Sequence, residues 1–338
     1  MPTFIQGALN TMKLKPFFYF LFALFFLGSC SNDFDLFTDK ETIPVVYGLL
    51  SQADSIQYIR LEKAFLDENR SAFLVAGEPD SIFFKDVEVR LIDPTNNQSF
   101  LLEKVNLADN GLPREDGFFP SDPNYLYAIS SDSINLRGGV VYRLEVIEGD
   151  EIIARADSRV IPDLVIRAPM SGQSLNYQGT FQRSIRWDGT PGAEFFNLRL
   201  FIRYDERSIE SGAGFEPEQV VWNLANRTQS NIFRFRGDEF LEFLGNAIEE
   251  NSNVQRRFRG IDIRLDAGGE ELFNYVNVGL ANTGITASQE IPLYTNIEGG
   301  LGIFSSVNHI ISPDFILNPE ALDSLINGRF TAKLNFIR

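Results

Sequence analysis

A single cysteine, Cys30, and a single histidine, His309, stand in a chain of 338 residues. One thiol excludes an internal disulfide framework and every multi-cysteine zinc or iron–sulfur site. One imidazole excludes any site that needs two, the HExxH metalloprotease arrangement among them. Tryptophan is scarce as well, with two residues against 31 phenylalanines. Sugar-stacking platforms favour Trp and Tyr, whereas phenylalanine in such excess fills cores. The 30 basic residues are outnumbered by 46 acidic ones, for a net charge of −16. That balance argues against nucleic acid as a partner and against electrostatic docking on anionic lipid. Dinucleotide and Walker-type phosphate-loop spacings, a GxSxG nucleophile elbow and an EF-hand loop are all missing. Irregular calcium sites and a hydrolase built on two carboxylates stay open, since local spacing does not show which acids converge.

What is present fits a globular protein: 44% of residues are hydrophobic and 22% charged. The length exceeds what one core usually organises, so two modules are expected.

The N-terminus reads as a processing segment. Lys13 and Lys15 precede Phe17 to Leu27, an unbroken apolar run of eleven residues. A spanning helix needs about 20 apolar residues, so the run has the length of a signal-peptide h-region. It ends in Leu27-Gly28-Ser29-Cys30, the pattern of a bacterial lipobox. Small side chains suit the peptidase, and the Cys30 thiol is the nucleophile that can carry a diacylglycerol thioether. Residues 1–29 are therefore expected to be a lipoprotein signal peptide, with Met12 as the expected true start. Cleavage before Cys30 removes two lysines and no acid, leaving 309 residues with a net charge of −18. Two or more acyl chains on Cys30 hold a protein to a bilayer where one is marginal. Residues 30–41 form a tether with Asp33, Asp35, Asp39 and Glu41, read either as a surface-export signal or as a plain solvated linker.

Beyond the tether the dominant period is two. Val87, Val89 and Leu91 alternate with Glu88 and Arg90, and Tyr142, Leu144 and Val146 alternate with Arg143 and Glu145. Glu148-Gly149-Asp150 then leads into Ile152 to Val160, a hairpin. Earlier strands are expected at Pro44–Leu50 and Ile56–Phe65. A half-buried antiparallel sheet produces this alternation. The fold class expected is mainly β: an immunoglobulin-like β-sandwich over residues 42–162, then a fibronectin-III-like, α+β module with short helices over residues 163–338. The Ser184–Asp188 strand with Trp187, a Gly–Pro turn and the alternating Phe195–Tyr204 strand resemble early strands of fibronectin type III modules. Trp187 reads as a core plug. Phe240, Phe243, Leu244, Ala247 and Ile248 fall on one helical face. Asn318-Pro319-Glu320 reads as an N-cap, a proline at the first helical position and an acid in the first turn of a helix ending near Gly328.

Three features have a chemical and a structural reading. Gly299-Gly300-Leu301-Gly302 reads as a place where backbones approach closely rather than a phosphate loop. His309 reads as a structural histidine, and Arg256-Arg257-Phe258-Arg259 as a solvated strand edge.

The lipobox and acidic tether are followed by Pro44–Leu50, Ile56–Leu61 and the late segment Tyr294-Thr295-Asn296-Ile297-Glu298-Gly299-Gly300-Leu301-Gly302-Ile303-Phe304. In this order they resemble a Bacteroidota lipoprotein family of unknown function, often encoded beside TonB-dependent outer-membrane receptors. The resemblance implies an outer-membrane, surface-exposed location, with the periplasmic face as the alternative, and an accessory role in nutrient uptake. The expected protein is a lipid-anchored, non-catalytic binding or accessory component; its partners are the membrane, through Cys30, and an outer-membrane receptor. A surface hydrolase using paired carboxylates and a structural or adhesive module are the competing readings. No residue is assigned to catalysis, a cofactor or a metal.

Overall fold

Alternation along the first half produces β1 (Ile43–Leu50), β2 (Ile56–Ala64), a one-turn helix α1 (Pro79–Ile82), β3 (Val87–Asp93), β4 (Gln98–Leu101), β5 (Glu103–Asn106), β6 (Tyr125–Ser130), a helical turn α2 (Ser131–Ile134), β7 (Val141–Glu148) and β8 (Glu151–Arg159). The second half contains β9 (Ile166–Ala168), β10 (Gln182–Trp187), β11 (Phe195–Ser208), β12 (Glu216–Thr228), β13 (Ile232–Arg236), α3 (Gly237–Ala247), β14 (Val254–Gly268), α4 (Glu270–Ala281), β15 (Leu301–Phe315), α5 (Pro319–Asn327) and β16 (Phe336–Ile337). These come from a computed structural model, which describes residues 42–64, 75–212, 214–281 and 293–338. The signal segment, Cys30 and the tether lie outside the described residues, as does Phe65 at the end of the second expected strand.

The protein is mainly β, in three sheets with a few short helices. Thr42–Arg338 forms one compact unit that contains two hydrophobic cores. In the first core, Val46, Leu50, Ile59 and Leu61 from one sheet meet Val89, Leu91, Leu144 and Val146 from the β4-β3-β7-β8 sheet. These are the alternate residues of each strand, so one face of each sheet is buried against the other in a sandwich-like layout. In the second core, Leu198, Leu200, Ile202, Ile261, Ile263 and Leu265 pack against Trp187 and the helices α3 and α5. Trp187 is buried with its ring edge-on to Phe196, 5.7 Å between centroids, so it is the core plug expected. Asn318 accepts a hydrogen bond from the Ala321 N–H, capping α5 as its sequence requires.

The two cores interleave along the chain, Ile161 packing in the second and Ile297 and Phe304 in the first, and β15 joins them. Its first part, Leu301–Ser306, pairs in parallel with β1. Its second part, Val307–Phe315, pairs antiparallel with β14. One strand therefore joins the strands of the first core to those of the second within a single nine-stranded sheet. A polar seam accompanies the crossing. Ser306 Oγ accepts from the Ile161 N–H at 2.9 Å and donates to the Leu50 carbonyl at 3.0 Å. Asn308 Nδ2 donates to the Ile161 and Pro162 carbonyls at 3.1 and 3.0 Å. The chain between the cores thus meets its backbone hydrogen-bond needs through side chains of β15.

At the β3–β4 turn, the buried Asp93 carboxylate accepts from the Thr95 N–H and hydroxyl and from Arg137. Burial pushes this carboxyl up, but the bonds from Thr95 and Arg137 outweigh it and hold the group below the usual carboxylate range. A folded value below the unfolded one, about 3.9, means that the ionised form favours folding. The contribution is present above the unfolded value and is lost as pH falls through the folded one. Asp93→Asn is expected to lower Tm at pH 7, with the gap to wild type shrinking toward pH 3. A gap of constant size across that range would count against the ion pair as its source.

Candidate functional site

The outer face of β1 and β2 is the surface that burial leaves unexplained. Register fixes which residues share it: Val45 lies opposite Glu62 and Tyr47 opposite Arg60. The inward residues Val46, Leu50, Ile59 and Leu61 fill the first core. The outward ones include Tyr47, Leu49, Ile56 and Tyr58, which are 40%, 40%, 41% and 37% exposed. Alternation alone would place polar residues at such positions in a half-buried sheet. Apolar and tyrosine side chains there form a patch of the kind that marks a contact surface, because tyrosine gives apolar area with a hydroxyl that can stay wet.

Both ends of the patch are built. At one side α4 lies over β15, where the Glu271 carboxylate accepts from Ser305 Oγ at 2.8 Å. From this helix Tyr275 meets Tyr47 edge-on, with centroids 6.5 Å apart. Burial, then the hydrogen bond with Tyr275, pushes the Tyr47 hydroxyl up to about 12, so it stays protonated at neutral pH. At the other side the buried Glu62 carboxylate accepts from Arg114 at 2.9 Å and from Arg60 at 3.2 Å. Arg60 also donates to Asn124 Oδ1 at 3.0 Å, and Arg114 lies 4.3 Å from the centre of the Phe119 ring. These contacts hold the segment around residues 111–124 against β2. The arrangement offers an exposed apolar surface whose edges are tied by hydrogen bonds and ion pairs, suited to binding a complementary protein face.

The residues singled out in the sequence are scattered. Cys30 lies outside the described residues. His309 sits on β15 in register with Asp266, whose carboxylate is taken by Arg199 and Arg264. The glycine run is a close-approach segment, as read: a β-carbon at Gly302 would lie 2.0 Å from the Val46 carbonyl oxygen. The Arg256–Arg259 segment is solvated at Arg257 and Arg259, but at Arg256 and Arg257 it is not an edge. It lies within β14, between β11 and β16, and Arg256 is 3% exposed. Arg256 donates to Glu206 and to the Leu334 and Glu249 carbonyls, tying the C-terminal end to the sheet. Arg257 stacks on Phe215, 4.3 Å from its ring centre, and Arg259 pairs with Asp205. The reading failed at Arg256 because three arginines in four residues suggest a wet edge, while the partners that bury one of them are distant in sequence.

Sequence reasoning missed the β1–β2 patch. Its only local sign is that Tyr47, Leu49, Ile56 and Tyr58 occupy positions where alternation calls for polar residues. Among the described residues no group of three or more His, Cys, Asp or Glu side chains gathers as a metal site. Among them, too, no helix is long and apolar enough to cross a membrane.

Comparison with known proteins gives one assignment. No curated protein matches the chain. A family model described as a domain of unknown function, DUF4249, matches residues 32–309, from the tether to the middle of β15. The matched span takes in β1, β2 and the glycine run that β1 packs against. With most of its length covered, this chain belongs to the DUF4249 family.

Proposed function

We propose that this protein is a lipid-anchored cell-envelope lipoprotein that acts without catalysis, as an accessory or binding component of a TonB-dependent outer-membrane transporter. The observation that carries the reading is the exposed Tyr47–Leu49–Ile56–Tyr58 face. It begins within a few residues of the tether. The thirteen steps from Cys30 to Ile43 span at most ~45 Å when fully extended. A protein anchored through Cys30 therefore keeps this face near the bilayer, where a membrane receptor presents its outer rim. An apolar patch rimmed by ion pairs fits such a partner better than it fits bulk solvent.

Crosslinking followed by purification from solubilised membranes tests the reading. The wild-type chain is expected to recover a TonB-dependent receptor, identified by mass spectrometry. Leu49→Asp and Tyr58→Asp, both on exposed positions, are expected to lose that receptor while keeping the wild-type Tm. Cys30→Ala is expected to move the chain out of the membrane fraction. Recovery of no such receptor by the crosslinked wild type would overturn the proposed partnership.

A further inference from the structure

Lysine is rare in this protein. The chain has seven, against 23 arginines, and almost every ion pair in the fold uses arginine. Four lysines fall among the described residues; two of them, Lys85 and Lys104, line one cleft, and Lys63 stands next to it, 5.5 Å from the centre of the Phe84 ring. The cleft measures about 290 Å³, and Phe83, Tyr125, Pro79 and Pro123 supply its apolar lining. Phe83 and Tyr125 meet edge-on with centroids 5.2 Å apart, which fixes the two rings.

The three ammonium groups come from separate elements. Lys104 is on β5, with Nζ 4.7 Å from the centre of the Tyr125 ring and 2.6 Å from the Phe84 carbonyl oxygen. Lys63 is on β2 and donates to the Asp80 carbonyl at 3.0 Å. Lys85 precedes β3 and pairs with the Asp80 carboxylate at 3.1 Å. Of the charged residues lining the cleft, Lys85 and Lys104 outnumber Asp80, and Asp86 lies within electrostatic reach of Lys104. An ammonium has three N–H donors, more than the single carbonyl bond that Lys104 makes to Phe84 among the described residues. Burial holds the Lys104 ammonium below the usual lysine range; Asp86 works against this and Lys63 adds to it. An arriving oxyanion would relieve that crowding. Low-dielectric walls strengthen such an attraction relative to open surface.

We infer that this cleft binds one small organic anion: a carboxylate or phosphoryl group held by Lys104 and Lys85, on a flat apolar body lying against Phe83 and Tyr125. The size agrees. A cavity of about 150 Å³ accepts benzene, so 290 Å³ accommodates a ring together with its charged group. The site is separate from the β1–β2 face and does not depend on the partnership proposed for it.

Titration calorimetry on the purified chain tests the inference with four probes: benzoate, phenyl phosphate, benzamide and inorganic phosphate. Saturable one-to-one binding is expected for benzoate or phenyl phosphate, and the tighter of the two identifies the oxyanion. Benzamide, which keeps the ring without the charge, and inorganic phosphate, which keeps the charge without the ring, are expected to bind at least tenfold more weakly. Lys104→Gln is expected to weaken the better probe at least tenfold, and Lys333→Gln, far along the chain, to leave it unchanged. If Lys104→Gln lowers Tm, Lys85→Gln at an exposed position provides the same comparison, with an expected loss of at least threefold. Absence of saturable binding by both charged aromatics, equal binding of benzamide, or unchanged binding in both lysine variants would each overturn the site.

Discussion

Gly302→Val is expected to abolish folding or to lower stability by ~4 kcal/mol or more, the range reserved for named structural failures. Two effects act together. Gly302 has φ +106°, a conformation that L side chains rarely adopt. Its missing side chain is also where the partner strand lies: a β-carbon would meet the Val46 carbonyl oxygen at 2.0 Å. That oxygen belongs to β1, paired in parallel with β15 at this register, so neither strand can move aside without breaking the ladder. Gly149→Ala separates the two effects. Gly149 has φ +61° with nothing within 4 Å of an added β-carbon, so it carries strain without collision. It is expected to cost about 1 kcal/mol. Denaturant unfolding of the two variants checks this, and a Gly302→Val protein as stable as Gly149→Ala would refute the close-approach account.

Asn308→Leu is expected to cost ~3 kcal/mol and to split unfolding into two steps. The side chain is buried and donates to two carbonyls, Ile161 and Pro162, in the segment between the cores. Leucine has similar size and no donor, so the buried Ile161 carbonyl and the half-buried Pro162 carbonyl lose their partner, at roughly 1–3 kcal/mol each. With ~2.1 cal/mol/K of unfolding entropy per residue over Thr42–Arg338, a kcal/mol moves Tm by about 1.6 °C, which makes the expected shift ~5 °C. Because the lost bonds fasten the junction rather than either core, each core keeps its packing and the transitions separate. Scanning calorimetry reads both effects. A single transition within a degree of wild type would show that the seam contributes nothing to the coupling.

Much of the local structure was legible. Tyr142, Leu144 and Val146 showed the β7 face, and Glu148-Gly149-Asp150 showed the turn, because both signals depend on residues within reach of one another. The α3 face at Phe240 and Leu244 and the Asn318 cap are of the same kind. The glycine run was read as a close approach, and its partners proved to be the Val46, Pro44 and Ile153 carbonyls. Helix α4 was not anticipated, nor was the parallel pairing of β1 with β15. The two paired strands lie some 250 residues apart, and periodicity within each says nothing about which edges meet. The candidate surfaces were hidden for the same reason. Tyr47 and Tyr58 look like ordinary strand residues until register puts them on one outer face. Lys85 and Lys104 look like isolated charges until β5 carries Lys104 to the cleft that Lys85 also lines.

The sequence by itself determined the strand-rich fold class, the hairpin of β7 and β8, the helices α3 and α5, and the expectation of a lipid anchor at Cys30. Each rests on alternation, capping or short spacing, and such interactions are set by neighbours along the chain. Tertiary structure alone decided that one strand serves both cores, that Arg256 is buried, and that two lysines share an aromatic cleft. Those outcomes follow from which distant edges can pair and still bury both cores. That choice is made by the whole chain at once, because no short segment carries the information about its partner.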